Sequence, residues 1–185
     1  MGMELDAAVL AKARAGDRVA LTRFVEVYQA RVYAVCLAFA GADAEDLAQE
    51  TFVRALRRLR DFDPRGPARL STFVLRIARN LCIDRARSAR VRLPHDGDAE
   101  RIADSTRLDH QLIDAQDAEL LRRAVLALPD DQRAAVALSA WGELDYAEVA
   151  AIEGVPVGTI RSRLSRARDA LHTALAAHDE VANAG

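Results

Sequence analysis

Aromatic residues are scarce: one Trp, three Tyr and five Phe make up 5% of a 185-residue chain. β-Branched runs and alternating patterns long enough for strands are absent, so no sheet is expected. Cysteine is confined to Cys36 and Cys82. They lie far apart in sequence, each inside a helical apolar pattern, so buried free thiols are expected rather than a disulfide framework. His95, His110, His172 and His178 form no spaced cluster with them. A zinc site is therefore not expected, nor any other metal or cofactor. No Walker loop or nucleophile constellation is present, so the chain is not expected to be an enzyme. No apolar run approaches the ~18 residues of a membrane span, and the N-terminus lacks a signal-peptide core. The expected location is the cytoplasm. Bulk positive charge is missing too. Lys and Arg number 26 against 28 Asp and Glu, a net charge of −2, so any nucleic-acid binding must come from local basic patches.

What the chain has in quantity is alanine, leucine and arginine at helical spacing, in a length that suits one domain or two small ones. From Asp17, a capping residue, a long helix carries Leu21, Phe24, Val25, Tyr28, Val32, Val35 and Phe39 on one face and ends near Gly41. A second helix, Ala44 to Arg60, has Ala48, Phe52, Ala55, Leu56 and Leu59 as its apolar stripe. Its acids come first (Glu45, Asp46, Glu50) and its bases last (Arg54, Arg57, Arg58, Arg60), the polarity that a helix dipole favours. Dipole complementarity does not explain why Gln49 and Glu50 stay on the exposed side.

Asp61 to Arg69, DFDPRGPAR, holds two prolines and a glycine and cannot continue a helix. This loop carries Phe62, Arg65 and Arg69. Ser71 can cap the next helix, expected to run to about Arg90 with Val74, Leu75, Ala78, Leu81 and Cys82 facing one way. Arg76, Arg79, Asn80, Arg87 and Arg90 gather on the opposite face, where only Asp84 at the margin is acidic. A solvated face usually mixes signs, so this one points to a nucleic-acid surface. The composition then inverts. Pro94 to Glu119 holds eight acids against two arginines, and its first half is rich in Gly, Pro, Ser and Asp. A flexible acidic linker between two helical domains is expected.

The second domain opens with a helix carrying Leu120, Leu121, Ala124, Val125 and Leu128, stopped by Pro129. Asp130 or Asp131 is expected to cap the next helix, which ends at Gly142. Asp145 and Glu148 have the spacing of a capping box, opening a short helix from Tyr146 to Ile152. Gly154 is the turn residue. Val155 to Leu175 forms the helix after it, with Pro156 at its first turn and Ile160, Leu164, Ala167, Leu171 and Leu175 as a narrow stripe. Arg161, Ser162, Ser165, Arg166 and Asp169 lie opposite. Two helices around a glycine turn, the second bearing guanidinium and hydroxyl groups, outline a helix-turn-helix able to contact phosphates and base edges. A solvated amphipathic surface helix is the blander reading of the last segment alone.

Two blocks carry a family resemblance. DAEDLAQETFVRALRRLRDFDPRGPARLSTFVLRIARNLCIDRARSAR runs from Asp43 to Arg90, and LPDDQRAAVALSAWGELDYAEVAAIEGVPVGTIRSRLSRARDAL from Leu128 to Leu171. Together they resemble the sigma-70 type initiation factors of bacterial RNA polymerase, specifically the small extracytoplasmic-function (ECF) group. The resemblance implies an all-α chain with sigma domain 2 in residues 1–93, an acidic linker in 94–119, sigma domain 4 in 120–177 and a disordered tail in 178–185. It implies that Asp46, Gln49, Glu50 and Phe52 dock on the clamp helices of the polymerase's largest subunit. Phe62 to Ser71 matches the loop that holds an unstacked base of the −10 element. Phe62, Arg65, Arg69 and Ser71 thus become −10 contacts, joined by Arg76, Arg79 and Asn80 on the adjoining duplex and non-template strand. Thr159, Arg161, Ser162, Ser165 and Arg166 match the helix that enters the −35 major groove, with Thr159 placed for a phosphate at a helix N-terminus. The implied partners are core RNA polymerase (including the subunit flanking the −35 region), promoter DNA and an anti-sigma factor of the kind that commonly holds members inactive. A membrane is not among them. One departure is Phe73, where the family usually has tryptophan.

Two rival functions each fit part of the chain. A stand-alone helix-turn-helix regulator would use the second block and leave the first idle. A metal-dependent nuclease would need Asp43, Glu45, Asp46 and Glu50 to share an open coordination site, yet capping and the dipole explain those acids equally well.

Overall fold

The computed structural model describes residues 4–92 and 115–182; residues 94–114 of the expected linker lie outside them. Every regular element among the described residues is helical, as the missing strand patterns require. The first is α1 (Ala7–Arg14), which sequence reading did not anticipate. Asp6 starts it, its Oδ1 accepting from the backbone N–H groups of Ala8 and Val9 at 2.8 and 3.4 Å. Asp17 caps α2 (Arg18–Ala40) as expected, accepting from the Ala20 N–H at 2.9 Å. After a short 3₁₀ turn comes α3 (Ala44–Arg58), then a second 3₁₀ turn at Leu59–Asp61, a loop, and α4 (Leu70–Arg92).

The apolar stripes of α2, α3 and α4 meet in one core. Phe24, Tyr28, Val32, Val35 and Cys36 of α2 are buried against Val74, Leu75, Ala78 and Cys82 of α4, with Leu47 and Ala55 of α3 alongside. Each large apolar side chain buried in this way contributes roughly 1.5–3 kcal/mol. The scarce aromatics concentrate here: Phe24 lies 5.3 Å from Tyr28 and edge-on to Phe52 at 6.2 Å, centroid to centroid. Tyr28 also fastens the N-terminal segment, its O–H donating to Glu4 Oε2 at 2.8 Å while its oxygen accepts from the Leu5 N–H at 3.4 Å. Cys36 and Cys82 are buried free thiols, as expected. The hydrogen bond between them, and burial, push the Cys82 thiol well above its ordinary range.

Ser71 does not cap α4. The helix starts one residue earlier, where Leu70 drops into the core, and Ser71 is buried within the first turn. Arg69 supplies the carbonyl that accepts from the Phe73 N–H at 3.0 Å.

The second unit consists of α5 (Ala115–Ala127), α6 (Asp130–Val136) extended by a π-helical turn at Ala137–Trp141, α7 (Tyr146–Glu153) and α8 (Val157–Ala182). α5 begins five residues upstream of the expected helix, inside the stretch read as linker. Glu119 accepts from Arg122 at 2.6 Å and from Arg123 at 2.8 Å, pairs three and four residues apart that favour helix. Pro129, not Asp130 or Asp131, holds the N-cap position of α6; both acids fall in its first turn, where they complement the dipole. Asp145 and Glu148 form the expected capping box. The tail expected to be disordered from residue 178 is helical to Ala182, and no Gly or Pro follows Gly158 of the first turn before that point.

The two units pack together, and one apolar cluster includes Phe39 and Leu75 of the first unit with Leu138 and Val149 of the second. Gly142 lies at this seam. A Cβ there would sit 3.0 Å from Leu75 Cδ1 and 2.5 Å from the Leu138 carbonyl oxygen. Arg133 bridges the units: its Nη2 donates to the Leu126 and Leu128 carbonyls at 2.5 and 2.7 Å, and its guanidinium carbon lies 5.5 Å from the centroid of Phe39.

Candidate nucleic-acid interface

The loop between α3 and α4 borders an open cleft of about 460 Å³ lined by Arg58, Asp61, Phe62, Asp63, Gly66, Pro67, Ala68, Phe73 and Arg76. Prolines and glycine keep the loop out of helix, and an Asp63 turn shapes it: Oδ1 accepts from the Arg65 N–H at 2.9 Å and the carbonyl from the Gly66 N–H at 3.1 Å. Phe62 is largely buried, its ring tilted against Phe73 with centroids 5.2 Å apart. It forms an apolar wall rather than an exposed aromatic finger. Arg58 and Arg76 bring guanidinium groups to the same cleft, and Asp61 and Asp63 bring acceptors. The dipole accounted for Arg58 in the sequence, so its role as cleft lining was not read there.

Of the other residues assigned to −10 DNA, Arg65, Arg69, Arg76 and Asn80 are exposed, Arg79 is half-buried and Ser71 is buried. Ser71 therefore presents no surface for DNA. Three of the arginines are held by α7. Arg79 donates from Nε and Nη2 to the two oxygens of Glu153 at 2.6 and 3.0 Å. Arg76 Nη2 donates to the Ala151 carbonyl at 3.3 Å, and Arg69 Nη1 lies 3.7 Å from Glu148 Oε1. Thr72, overlooked in the sequence because it is an ordinary helix residue there, donates from Oγ1 to the same Glu148 oxygen at 3.0 Å. Arg79 Nη1 also donates to Asn80 Oδ1 at 3.2 Å.

On α3 the residues assigned to polymerase docking do not share one environment. Asp46 and Gln49 are exposed and Glu50 is half-buried. Glu50 Oε1 accepts from Arg54 Nε at 2.7 Å and Glu45 Oε1 from Gln49 Nε2 at 3.5 Å. Phe52 turns inward and packs on Phe24, so its contribution is to the core beneath that face.

In the second unit Gly154 takes the left-handed conformation (φ 67°) and closes α7, which frees the chain to start α8 at an angle. Ile160 and Ala167 of α8 are buried, while Arg161, Ser165 and Arg166 are exposed and Thr159 and Ser162 half-buried. The Ser162 hydroxyl donates to the Thr159 carbonyl at 2.9 Å. A projecting helix with two guanidiniums and a hydroxyl on its outer face has the chemistry of a groove-reading helix.

Comparison with known proteins agrees with this geometry. Residues 24–92 match the model of sigma-70 region 2, and residues 118–171 match that of sigma-70 region 4. The ECF RNA polymerase sigma factor SigW of Bacillus subtilis is 31% identical over 172 residues, covering 86% of this chain and 91% of that protein. This chain belongs to the ECF group of sigma-70 family RNA polymerase sigma factors. The ECF sigma factor is also similar to SigC of Mycobacterium tuberculosis, 38% identical over 173 residues, 89% of this chain and 88% of that one. Among solved structures, the sigma factor RpoE of Bartonella quintana, in complex with the anti-sigma factor NepR, matches with a TM-score of 0.67 and 28% identity over 83% of this chain and 95% of that one. Among the described residues of the ECF factor no group of three or more His, Cys, Asp or Glu is placed to hold a metal ion. No described helix is long and apolar enough to cross a membrane.

Proposed function

We propose that this ECF sigma factor binds core RNA polymerase through the outer face of α3, grips the −10 element with the cleft and the basic face of α4, and reads the −35 element with α8. The observation that carries the reading is the cleft between Phe62 and Phe73, flanked by Arg58 and Arg76. An apolar wall with guanidiniums at its rim suits a base drawn out of the stack with its phosphates held alongside. Unstacking costs on the order of a few kcal/mol, offset here by those contacts. The factor acts stoichiometrically, as a regulatory subunit rather than a catalyst, and works in the cytoplasm with the polymerase. Two sites of modest affinity act as one when the polymerase fixes their separation, since the second contact is then intramolecular. An anti-sigma protein is a fitting regulator, as the Bartonella sigma factor forms such a complex.

Run-off transcription with core polymerase on fragments of the host genome tests this reading. Discrete transcripts should appear only when the factor is added, and their start sites would define both promoter elements. Core polymerase giving the same transcripts with and without the factor would refute the reading. Tight binding to a palindromic operator in the absence of polymerase would favour a stand-alone regulator instead.

A further inference from the structure

We propose that α1 braces the −10 cleft, and that Arg14 is a positioning residue fixing the turn from which the cleft loop departs. This role rests on the assignment of the cleft to −10 DNA, which Arg14 itself does not meet. Arg14 Nη2 donates to the Arg60 carbonyl at 3.1 Å, joining residues 46 positions apart. Arg60 is the middle residue of the 3₁₀ turn Leu59–Asp61, and the cleft lining begins on either side of it with Arg58, Asp61 and Phe62. The end of a helix leaves carbonyls without partners inside the helix. Here the Leu56 carbonyl accepts from the Leu59 N–H, and the Leu59 carbonyl from the Phe62 N–H at 3.3 Å. The Arg60 carbonyl takes a guanidinium instead, a cation near the negative end of α3. Phe73, the other wall, is set by α4, whereas Arg58, Asp61 and Phe62 depend on the turn.

α1 is itself held firmly enough to brace. Leu10 and Ala13 are buried in the core that α1 shares with α2. The Gly16 and Asp17 N–H groups close the corner between the two helices on the Ala13 and Lys12 carbonyls, at 3.0 and 3.1 Å. Gly16 is left-handed there (φ 89°), and a Cβ on it would stand 3.9 Å from Arg60 Nη2. The Arg60 side chain thus lies over the corner while its carbonyl takes Arg14, so corner and turn meet through two separate contacts. Arg14 Nε is buried and has no hydrogen-bond partner among the described residues. A methionine would pack the same stem without that unpaired donor. What the arginine adds is the reach of Nη2 to the turn. Lys12, the other base in the last turn of α1, is exposed and takes no part in the bond.

The test compares Arg14→Met, which keeps the stem and loses the donor, with Arg14→Lys, which restores a single donor. Lys12→Met is the control for lost charge in the same turn. Hydrogen–deuterium exchange of the free full chain, read by mass spectrometry, reports opening of residues 58–66, where the Phe62, Arg65 and Gly66 N–H groups are hydrogen-bonded. Holoenzyme on a promoter mapped by run-off transcription reports opening of the −10 element, through the permanganate reactivity of thymines in and beside it. A pull-down reports capture of core polymerase. In Arg14→Met, exchange in 58–66 should rise about fivefold, the measure of one lost hydrogen bond, with α2 unchanged. Promoter opening should fall by about the same factor with capture intact. Arg14→Lys should recover most of both, and Lys12→Met should match the parent. Unchanged exchange in 58–66 overturns the brace and leaves the −10 assignment standing. Faster exchange with undiminished promoter opening overturns the assignment of the cleft to −10 DNA, and the brace falls with it. Exchange raised equally in α1 and α2, or no recovery in Arg14→Lys, would reduce Arg14 to a general packing residue and refute its positioning role. An equal effect of Lys12→Met would trace the loss to charge and refute it too.

Discussion

Gly154 shows how one residue sets the geometry between two helices. Its φ of 67° lies in the left-handed region, and no atom comes within 4 Å of where a Cβ would stand. Gly154→Ala would therefore meet backbone strain alone, about 1 kcal/mol. Thermal melts should show a Tm lower by a few degrees with the helical content of the folded state unchanged; an unaltered Tm would show that the turn tolerates a side chain. This position was legible in the sequence, as was the capping box of Asp145 and Glu148, because both are local devices that act within four residues. Phe62 and Ser71 were not. Phe62 reads as a loop aromatic free to contact DNA, yet it is buried against Phe73, and Ser71 reads as a cap, yet it is buried inside the first turn of α4. For Ser71 the deciding factor was the start of α4 at Leu70, whose side chain is buried, and for Phe62 it was packing on Phe73.

At the scale of elements, amphipathic periodicity placed α2, α3, α4 and α8, and it failed where charge composition spoke louder than periodicity. α5 is the clearest instance. Its first turns lie in an acid-rich stretch read as linker, yet Arg122, and then Arg123, hydrogen-bond Glu119 and hold its carboxyl down at about 2. The ordinary glutamate value is about 4.3. Because the folded value is the lower, the stabilisation is complete above about 4.3 and is lost as the pH falls toward 2. The Glu119 side chain is 37% exposed, so solvent screening limits the contribution to about 0.5 kcal/mol. Glu119→Gln should lower the Tm slightly at pH 6, with the difference from the parent shrinking as the pH falls to about 2. A gap that does not shrink over that range would assign the effect to packing instead of charge.

α8 makes a second prediction at this scale. Ile160 and Ala167 anchor it while Arg166 points outward, so Arg166→Ala removes a contact group without disturbing the helix. Holoenzyme carrying it should bind promoter duplexes with a −35 element about tenfold more weakly, the cost of one lost bidentate base contact. It should bind −35-less templates as the parent does. Equal losses on both templates would reduce Arg166 to a general phosphate contact.

For the whole molecule, the association of the two units could not be read from the sequence, since its bonds join residues such as Arg79 and Glu153 that are 74 positions apart. No local pattern marks them as partners; in the sequence Glu153 is merely the acid before a turn and Arg79 one of a basic row. On the proposed assignments, the packing treats the docking face and the DNA-binding face differently. Asp46 and Gln49 remain exposed on α3 while Arg76 and Arg79 are held by α7. Gln49→Ala combined with Glu50→Ala should abolish capture of core polymerase in a pull-down, because it strips the exposed amide and acid from the docking face. The loss cannot be put down to unfolding, since the Glu50–Arg54 pair is partly exposed on both sides and contributes only about 0.5 kcal/mol. Arg79→Ala, made in parallel, should leave capture intact and impair only promoter opening. Undiminished capture by the α3 double variant would remove the docking assignment. Capture lost with Arg79→Ala would show that docking extends onto the basic face of α4.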